Sequence, residues 1–271
     1  MKLRRSMLFV PGNNPGVIKD VQIYRPDSVM FDLEDAIAIT EKDSARFLVF
    51  NMLRKMGPLY KKLNIETVVR INALDTGYGI EDLEFVVRAQ PDVIRIPKTD
   101  TAQDVLDVQA HVERIEKEAG IPVGQTKLMV AIESPLGALN AYSIATSSDR
   151  LIGMAIGGED YVTNLQTQRS PEGIELFTAR GLIVMAARAA GIDPMDSVYS
   201  DVNNDEGFIM EASKIKQMGF AGKSLIHPRQ IELIHKVYTP SDLDIKKAKK
   251  IVDATREALE QNKGVFTVDG K

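Results

Sequence analysis

Two acidic segments carry the clearest chemistry in this chain: Val130-Ala131-Ile132-Glu133-Ser134 and Gly157-Gly158-Glu159-Asp160-Tyr161. Each follows a short apolar run that breaks into acid, so each reads as a buried strand delivering a carboxylate at its C-terminal end. If both strands belong to one alternating β/α chain, Glu133 and Asp160 meet on a single rim. Paired hard oxygen ligands with open positions between them suit Mg²⁺, which keeps several sites for water and substrate.

The elements that must position these groups follow from periodicity. Eight strand-like runs, at 7–10, 28–33, 67–71, 93–96, 128–132, 151–156, 196–199 and 223–226, alternate with helical patterns. Several are apolar at consecutive positions, as strands covered on both faces require. Val105, Val108, Val112 and Ile115 recur at helical spacing, and Gly120 and Pro122 close that helix. Thr40 opens another, turning Ala45, Leu48, Val49 and Met52 inward. Ser170-Pro171-Glu172 reads as an N-cap, a first-turn proline and a first-turn acid, with Gly191 as the stop. Eight such units predict an α/β protein, a (β/α)₈ TIM barrel forming one catalytic domain over 1–238, with 239–271 as a C-terminal helical extension of it. The competitor is an open doubly wound sheet. It would carry a glycine-rich phosphate turn after the first strand, whereas that strand ends Phe9-Val10-Pro11-Gly12-Asn13-Asn14.

Composition narrows the partners. A net charge of −4 and a pI near 5.6 argue against nucleic acid or an anionic membrane surface. The absence of cysteine removes disulfides, a thiolate nucleophile and Cys-based zinc. No stretch approaches the ~20 apolar residues of a transmembrane helix, and the basic start lacks a signal-peptide core. A cytoplasmic protein is expected.

In a barrel, chemistry gathers at the C-terminal strand ends. Read in order, these offer Pro11 and Gly12; Asp32, Glu34 and Asp35; Arg70 and Asn72; Lys98; Glu133; Asp160; Ser200 and Asp201; and His227. Such a rim suits a small, multiply anionic substrate held by metal and guanidinium. Each group also has a structural reading. Glu133 could cap the helix begun by Ser134-Pro135, and Asp160 could be a turn residue. Arg70 could be a buried ion-pair partner of Asp32 or Glu34, Lys98 a loop lysine, and His227 a cap before Pro228.

Six motifs then occur in register: Arg5-Ser6-Met7-Leu8-Phe9-Val10-Pro11-Gly12, Phe31-Asp32-Leu33-Glu34-Asp35-Ala36, Val69-Arg70-Ile71-Asn72, Ile96-Pro97-Lys98, Ile132-Glu133-Ser134-Pro135-Leu136-Gly137 and Gly158-Glu159-Asp160-Tyr161. Together they resemble the citrate lyase beta subunit (citryl-acyl-carrier-protein lyase) family, kin to malyl-CoA and citramalyl-CoA lyases among the aldolase barrels. The resemblance implies Mg²⁺ on Glu133 and Asp160. It implies Arg70 on the substrate's carboxylate and carbonyl oxygen, with Glu34 and Asp35 as supporting acids. It makes Arg5, Ser6, Phe9, Pro11 and Gly12 the region meeting the thioester carrier. The implied reaction is retro-Claisen cleavage of a citryl thioester to acetyl thioester and oxaloacetate. The implied partners are an acyl carrier (gamma) subunit, a transferase (alpha) subunit and further copies of the chain in a homotrimer. A stand-alone malyl-CoA or citramalyl-CoA lyase and a non-catalytic assembly subunit are the alternatives.

Near the C-terminus, Ser241 and Asp242 open an amphipathic helix expected to stop near Gly264. Val265-Phe266-Thr267-Val268 then alternates like a strand into an Asp269-Gly270 turn. By resemblance a lid segment with an acid/base aspartate would follow. The expectation is a truncated lid and an open site.

Overall fold

A computed structural model of the chain describes residues 2–260. Eight parallel strands close into a barrel in chain order. They are β1 Ser6–Pro11, β2 Ser28–Asp32, β3 Glu66–Arg70, β4 Val93–Ile96, β5 Lys127–Ile132, β6 Leu151–Ile156, β7 Asp193–Asp196 and β8 Gly222–Leu225. The ring closes where β8 pairs with β1 through Ser6↔Lys223, Met7↔Ser224 and Leu8↔Leu225. The helices are α1 Pro15–Ile18, α2 Lys42–Lys62, α3 Tyr78–Val86, α4 Ala102–Glu118, α5 Pro135–Leu139, α6 Ala141–Ala145, α7 Gly158–Asn164, α8 Ile174–Ala190, α9 Asp205–Met218, α10 Arg229–Tyr238 and α11 Asp242–Glu260. The chain divides into two compact units, Met1–Val237 and Tyr238–Lys271. In the second, Ser241 and Asp244 cap the start of α11 reciprocally. The readings at 261–271, including the hairpin and the missing lid, lie outside the described residues.

The barrel interior is plugged rather than hollow. Met7, Met30, Val68, Val93, Met129, Ala155 and Met195 form one buried cluster, in which unbranched thioethers fill an irregular centre. Side chains alternate along a strand, so the residue two positions further faces the same interior. Two steps past the plug stand Phe9, Asp32, Arg70, Arg95, Ala131, Gly157 and Ser197. A polar layer therefore sits directly on the apolar one, at the C-terminal ends of the strands.

Between sheet and helices the opposite strand face buries a charged knot. Asp196 on β7 accepts from Arg180 of α8 at 2.8 and 3.0 Å and from Lys223 of β8 at 2.6 Å. Lys223 also reaches Glu211 of α9 at 2.5 Å. Burial alone would raise the Asp196 pKa, but Lys223 and Arg180 outweigh it and hold the carboxyl below its ordinary range.

Three boundaries differ from the sequence reading by more than one residue. The seventh strand runs Asp193–Asp196 rather than 196–199, in register Met195↔Gly222 and Asp196↔Lys223. Its Pro194 and flanking acids hide it, because proline cannot donate to a ladder. The helix after Ser170 begins at Ile174: Ser170 Oγ accepts from Gly173 N at 3.1 Å in a preceding turn. The helix expected to open at Thr40 starts at Lys42, after a short 3₁₀ turn over Ile39–Glu41.

Asp196→Asn should leave two buried cations with only Glu211 beside them and cost about 3–5 kcal/mol. A urea titration should show a lower midpoint at unchanged slope.

Candidate active site

The rim is organised by one ion pair. Asp32 ends β2 and Arg70 ends β3 in register with it. Arg70 Nε and Nη2 donate to the two Asp32 oxygens, each at 2.7 Å. The same oxygens accept from the backbone N–H groups of Glu34 (3.0 Å) and Ala36 (3.1 Å), which fixes the loop after β2. Burial opposes the Asp32 charge, yet Arg70 and these N–H groups depress its pKa. Arg70 Nη1 lies 3.0 Å from Glu34 and 3.3 Å from Asp35, and its Cζ stands 5.1 Å over the Phe9 ring. The structure thus gives Arg70 the ion-pair role that the sequence left open beside anion binding, while its guanidinium still lines the cavity.

Lys98 is more than a loop lysine. It takes the left-handed backbone at φ 45°, a strained setting for a side-chain-bearing residue. From there its Nζ reaches Glu34 at 2.6 Å and Asp35 at 3.3 Å.

Glu133 follows β5 and is 2 % exposed. Its Oε2 has no hydrogen-bond partner. Ser134, not Glu133, caps α5, accepting from Gly137 N at 3.0 Å. Gly157 makes room for the acid, since a Cβ there would stand 2.5 Å from Glu133 Cγ. Asp160, in the first turn of α7, brings its carboxyl to that of Glu133. Burial, then the Glu34 charge, push the Glu133 pKa up to about 8. Among the described residues no third acid or histidine completes an all-protein metal cage. An orphaned buried oxygen, a second carboxylate and open positions are a donor set that fits Mg²⁺.

These groups surround a cavity of about 550 Å³ lined by Phe9, Pro11, Asp35, Arg70, Glu133 and Asp160, among others. A larger hollow, about 1050 Å³, lies at the other barrel end around Lys2, Arg4 and Lys127. Arg4 there is already paired with Glu66 and Asp193, and no group of the polar layer reaches it.

Other candidates are placed elsewhere. Arg5 and Ser6 sit at the start of β1, the end opposite the mouth. Arg5 pairs with Asp27 at 2.8 Å, and Ser6 Oγ meets His235 at 2.8 Å. Ser6 stands five residues before Pro11 along the strand, or ~16 Å, and Arg5 one further, so they are not brought together with the rest. Gly12 is buried and donates to the Asp32 carbonyl at 2.8 Å, positioning the turn rather than lining the cavity. Asn72 Nδ2 holds the Leu33 carbonyl at 2.8 Å. Ser200 bonds Glu159 at 3.3 Å, and Asp201 accepts from Asn203 N at 3.1 Å in its own turn. His227 Nδ1 accepts from Arg229 N at 3.2 Å, as a cap does.

Three polar cavity residues are not among the sequence candidates: Arg95, Ser197 and Ser224. Ser197 Oγ accepts from Gly158 N at 3.1 Å. The shift of β7 hid Ser197. Arg95 was visible as a lone charge inside the apolar run Val93-Ile94-Arg95-Ile96, in phase with Val93.

Residues 5–228 match the HpcH/HpaI aldolase/citrate lyase family. The chain belongs to that family. Among its relatives, a citrate lyase subunit beta from Haemophilus influenzae is 58% identical over 271 residues, covering 100% of this chain and 92% of the relative. Two solved structures from Mycobacterium tuberculosis share the fold. One, CitE with magnesium, acetoacetate and coenzyme A, superposes at TM-score 0.77 with 27% identity, over 99% of this chain and 92% of that one. The other, a citrate lyase beta subunit with oxaloacetate and magnesium, gives TM-score 0.71 with 29% identity, over 88% and 98%. For this family member, both the eight-stranded barrel and the kinship expected from the six motifs are borne out.

The buried Glu133 predicts a pH dependence of the metal-free protein. Its folded pKa near 8 exceeds the ordinary 4.5, so between those values the folded state binds more protons than the unfolded. Stability in EDTA should therefore fall as pH rises from about 5 to 8, by on the order of a few kcal/mol. Glu133→Gln should flatten that slope, as thermal melts across the range will reveal.

Proposed function

We propose that this chain is a Mg²⁺-dependent retro-Claisen carbon–carbon lyase. It cleaves a citryl group carried as a thioester on an acyl carrier protein into an acetyl thioester and oxaloacetate. The observation that carries the reading is the buried, half-unpartnered Glu133 beside Asp160, facing Arg70 across one cavity. Mg²⁺ would be held by Glu133 and Asp160 and would supply Lewis-acid stabilisation of the developing keto oxygen and its neighbouring carboxylate.

The chain's own groups divide the remaining work. The hydroxyl proton of the citryl group leaves to a base, and its electron pair becomes the keto C=O as the adjacent C–C bond breaks. The released pair forms the acetyl-thioester enolate, which then takes a proton. Asp32 occupies two of the five Arg70 donors and Glu34 and Asp35 face Nη1, so one Nη2–H is left to point at substrate. Held so rigidly, that donor supplies preorganised stabilisation where negative charge grows. Asp35, half-exposed and lining the cavity, is placed to exchange protons there, whereas buried Glu34 is committed to Arg70 and Lys98. Phe9 and Pro11 form the apolar wall against which the thioester arm lies.

The partners follow from that reading: the acyl carrier (gamma) and transferase (alpha) subunits of citrate lyase, with the chain assembling as a homotrimer in the cytoplasm. Among the described residues no helix is long and apolar enough to cross a membrane. A second reading, a lyase acting on a free CoA thioester such as malyl-CoA or citramalyl-CoA, draws on the coenzyme A bound to the Mycobacterium tuberculosis relative. A non-catalytic assembly role is the third.

Turnover of citryl-acyl carrier protein, with Mg²⁺ and with EDTA, tests the proposal. Activity on the carrier-bound group that EDTA abolishes supports it. Equal or faster cleavage of malyl-CoA or citramalyl-CoA favours the second reading, and no turnover of any thioester favours the third.

Glu133→Ala and Asp160→Ala should each remove Mg²⁺-dependent oxaloacetate binding in calorimetry while the circular dichroism spectrum is kept, because rim residues carry function more than packing. Arg70→Lys should lower kcat/KM at least about tenfold, or ~1.4 kcal/mol of transition-state stabilisation, since a point charge cannot reproduce the fork on Asp32. Unchanged rates would make Arg70 a purely structural partner of Asp32.

A further inference from the structure

Arg95 is the least satisfied charge in the molecule's polar layer. It lies on β4, in register with Arg70 on one side and Met129 on the other, and is 2 % exposed. Its nearest acceptors are thioethers: Nη1 stands 3.6 Å from Met7 Sδ and 3.7 Å from Met30 Sδ, and sulfur accepts only weakly. Its Cζ lies 5.5 Å over the Phe9 ring, and Nε has no partner at all. Among the described residues it makes no ion pair, although its neighbour Arg70 has three carboxylates. Ser224, on β8, is 1 % exposed and its hydroxyl is also unpartnered. Both residues line the cavity that holds Glu133 and Asp160.

A buried cation without an anion is costly, and buried donors without acceptors are rare in folded proteins. The apolar plug beneath it is already closed by other side chains, so closing the barrel does not call for a charge at this position. A ligand that brings the missing acceptor does.

We propose that Arg95, with Ser224, is the receptor for the second carboxylate of the oxo-acid fragment, and so selects a four-carbon dicarboxylate over its monocarboxylate analogue. This rests on the oxo-acid reading of the site given above. One carboxylate and the keto oxygen belong to the Glu133–Asp160 end. The other carboxylate descends to the floor, where the planar fork of Arg95 receives it by two parallel N–H···O bonds and Ser224 adds a third. A ligand lacking that group leaves the fork buried and unpaired, which is how polar sites reject shortened analogues strongly. The competing role is a general counter-charge: Glu133, Asp32 and Glu34 all lie within its field.

Calorimetry on the full chain in excess Mg²⁺, with freshly prepared oxaloacetate and with pyruvate, separates the two. The wild type should bind oxaloacetate at least ~30-fold tighter than pyruvate, and Arg95→Met should lose at least ~30-fold for oxaloacetate but no more than ~3-fold for pyruvate. Ser224→Ala should lose ~3–10-fold for oxaloacetate alone. If Arg95→Met fails to fold by circular dichroism, Arg95→Lys and Ser224→Ala decide: each should lower the oxaloacetate-to-pyruvate ratio. Equal losses for both ligands, or wild-type ratios in these variants, overturn the proposal in favour of the counter-charge. A wild type that binds both oxo acids equally overturns this inference alone. One that binds neither overturns the oxo-acid reading and this inference together.

Discussion

The bidentate contact between Asp32 and Arg70 is the constraint on which the barrel mouth depends. It ties the ends of two adjacent strands through side chains at 2.7 Å and turns the Asp32 carboxylate into the anchor of the next loop. That loop is then clamped from outside. Lys42 donates to the carbonyls of Leu33 and Glu34 at 2.8 and 2.7 Å, and Asn72 holds Leu33 as well. With the backbone fixed, Glu34 and Asp35 can face Arg70 and Lys98 together. Removing either member of a buried pair exposes the other to the full desolvation penalty, so Arg70 cannot act as a freely swinging anion clamp. Its guanidinium is held in a preset direction.

Stability and function occupy successive layers of one interior. The methionine-rich plug closes the barrel with no hydrogen-bonding demand, while the layer two residues further along each strand carries Asp32, Arg70, Arg95 and Ser197. Buried groups without partners are not confined to that layer, since Tyr60 and Arg46 each carry one. Yet Glu133, Arg95 and Ser224 bring three of them to a single cavity. Scattered orphans are local packing faults, whereas convergent ones describe the acceptors and donors a ligand must bring.

What was legible in the sequence divides along the same lines. The barrel could be read because its strands are doubly covered and so run continuously apolar, and because loops break into acid where they end. The pairing of Glu133 with Asp160 followed from parallel topology alone. The seventh strand was misplaced because Asp193-Pro194 contradicts strand propensity and only tertiary pairing to β8 enforces it. Arg5 and Ser6 travelled with a motif whose far end is at the mouth. Motif adjacency along a strand says nothing about which barrel end a residue serves. Arg95 is hard to read in the sequence because a single charge in phase with the core is masked by the apolar residues on either side of it.

Charge balance joins these observations. With every group ionised, the mouth holds Asp32, Glu34, Asp35, Glu133, Glu159 and Asp160 against Arg70, Arg95 and Lys98, an excess of three negative charges. A polycarboxylate approaching such a mouth meets repulsion that a low dielectric magnifies. A divalent cation held by Glu133 and Asp160 would cancel most of that excess, leaving the Nη2–H of Arg70 and the fork of Arg95 to meet an incoming anion. On the proposed metal site, the acidic surplus would make anion affinity conditional on metal without any conformational switch. It also explains why the protein can tolerate two arginines in register on adjacent strands: Asp32, Glu34, Asp35 and Glu133 share their field.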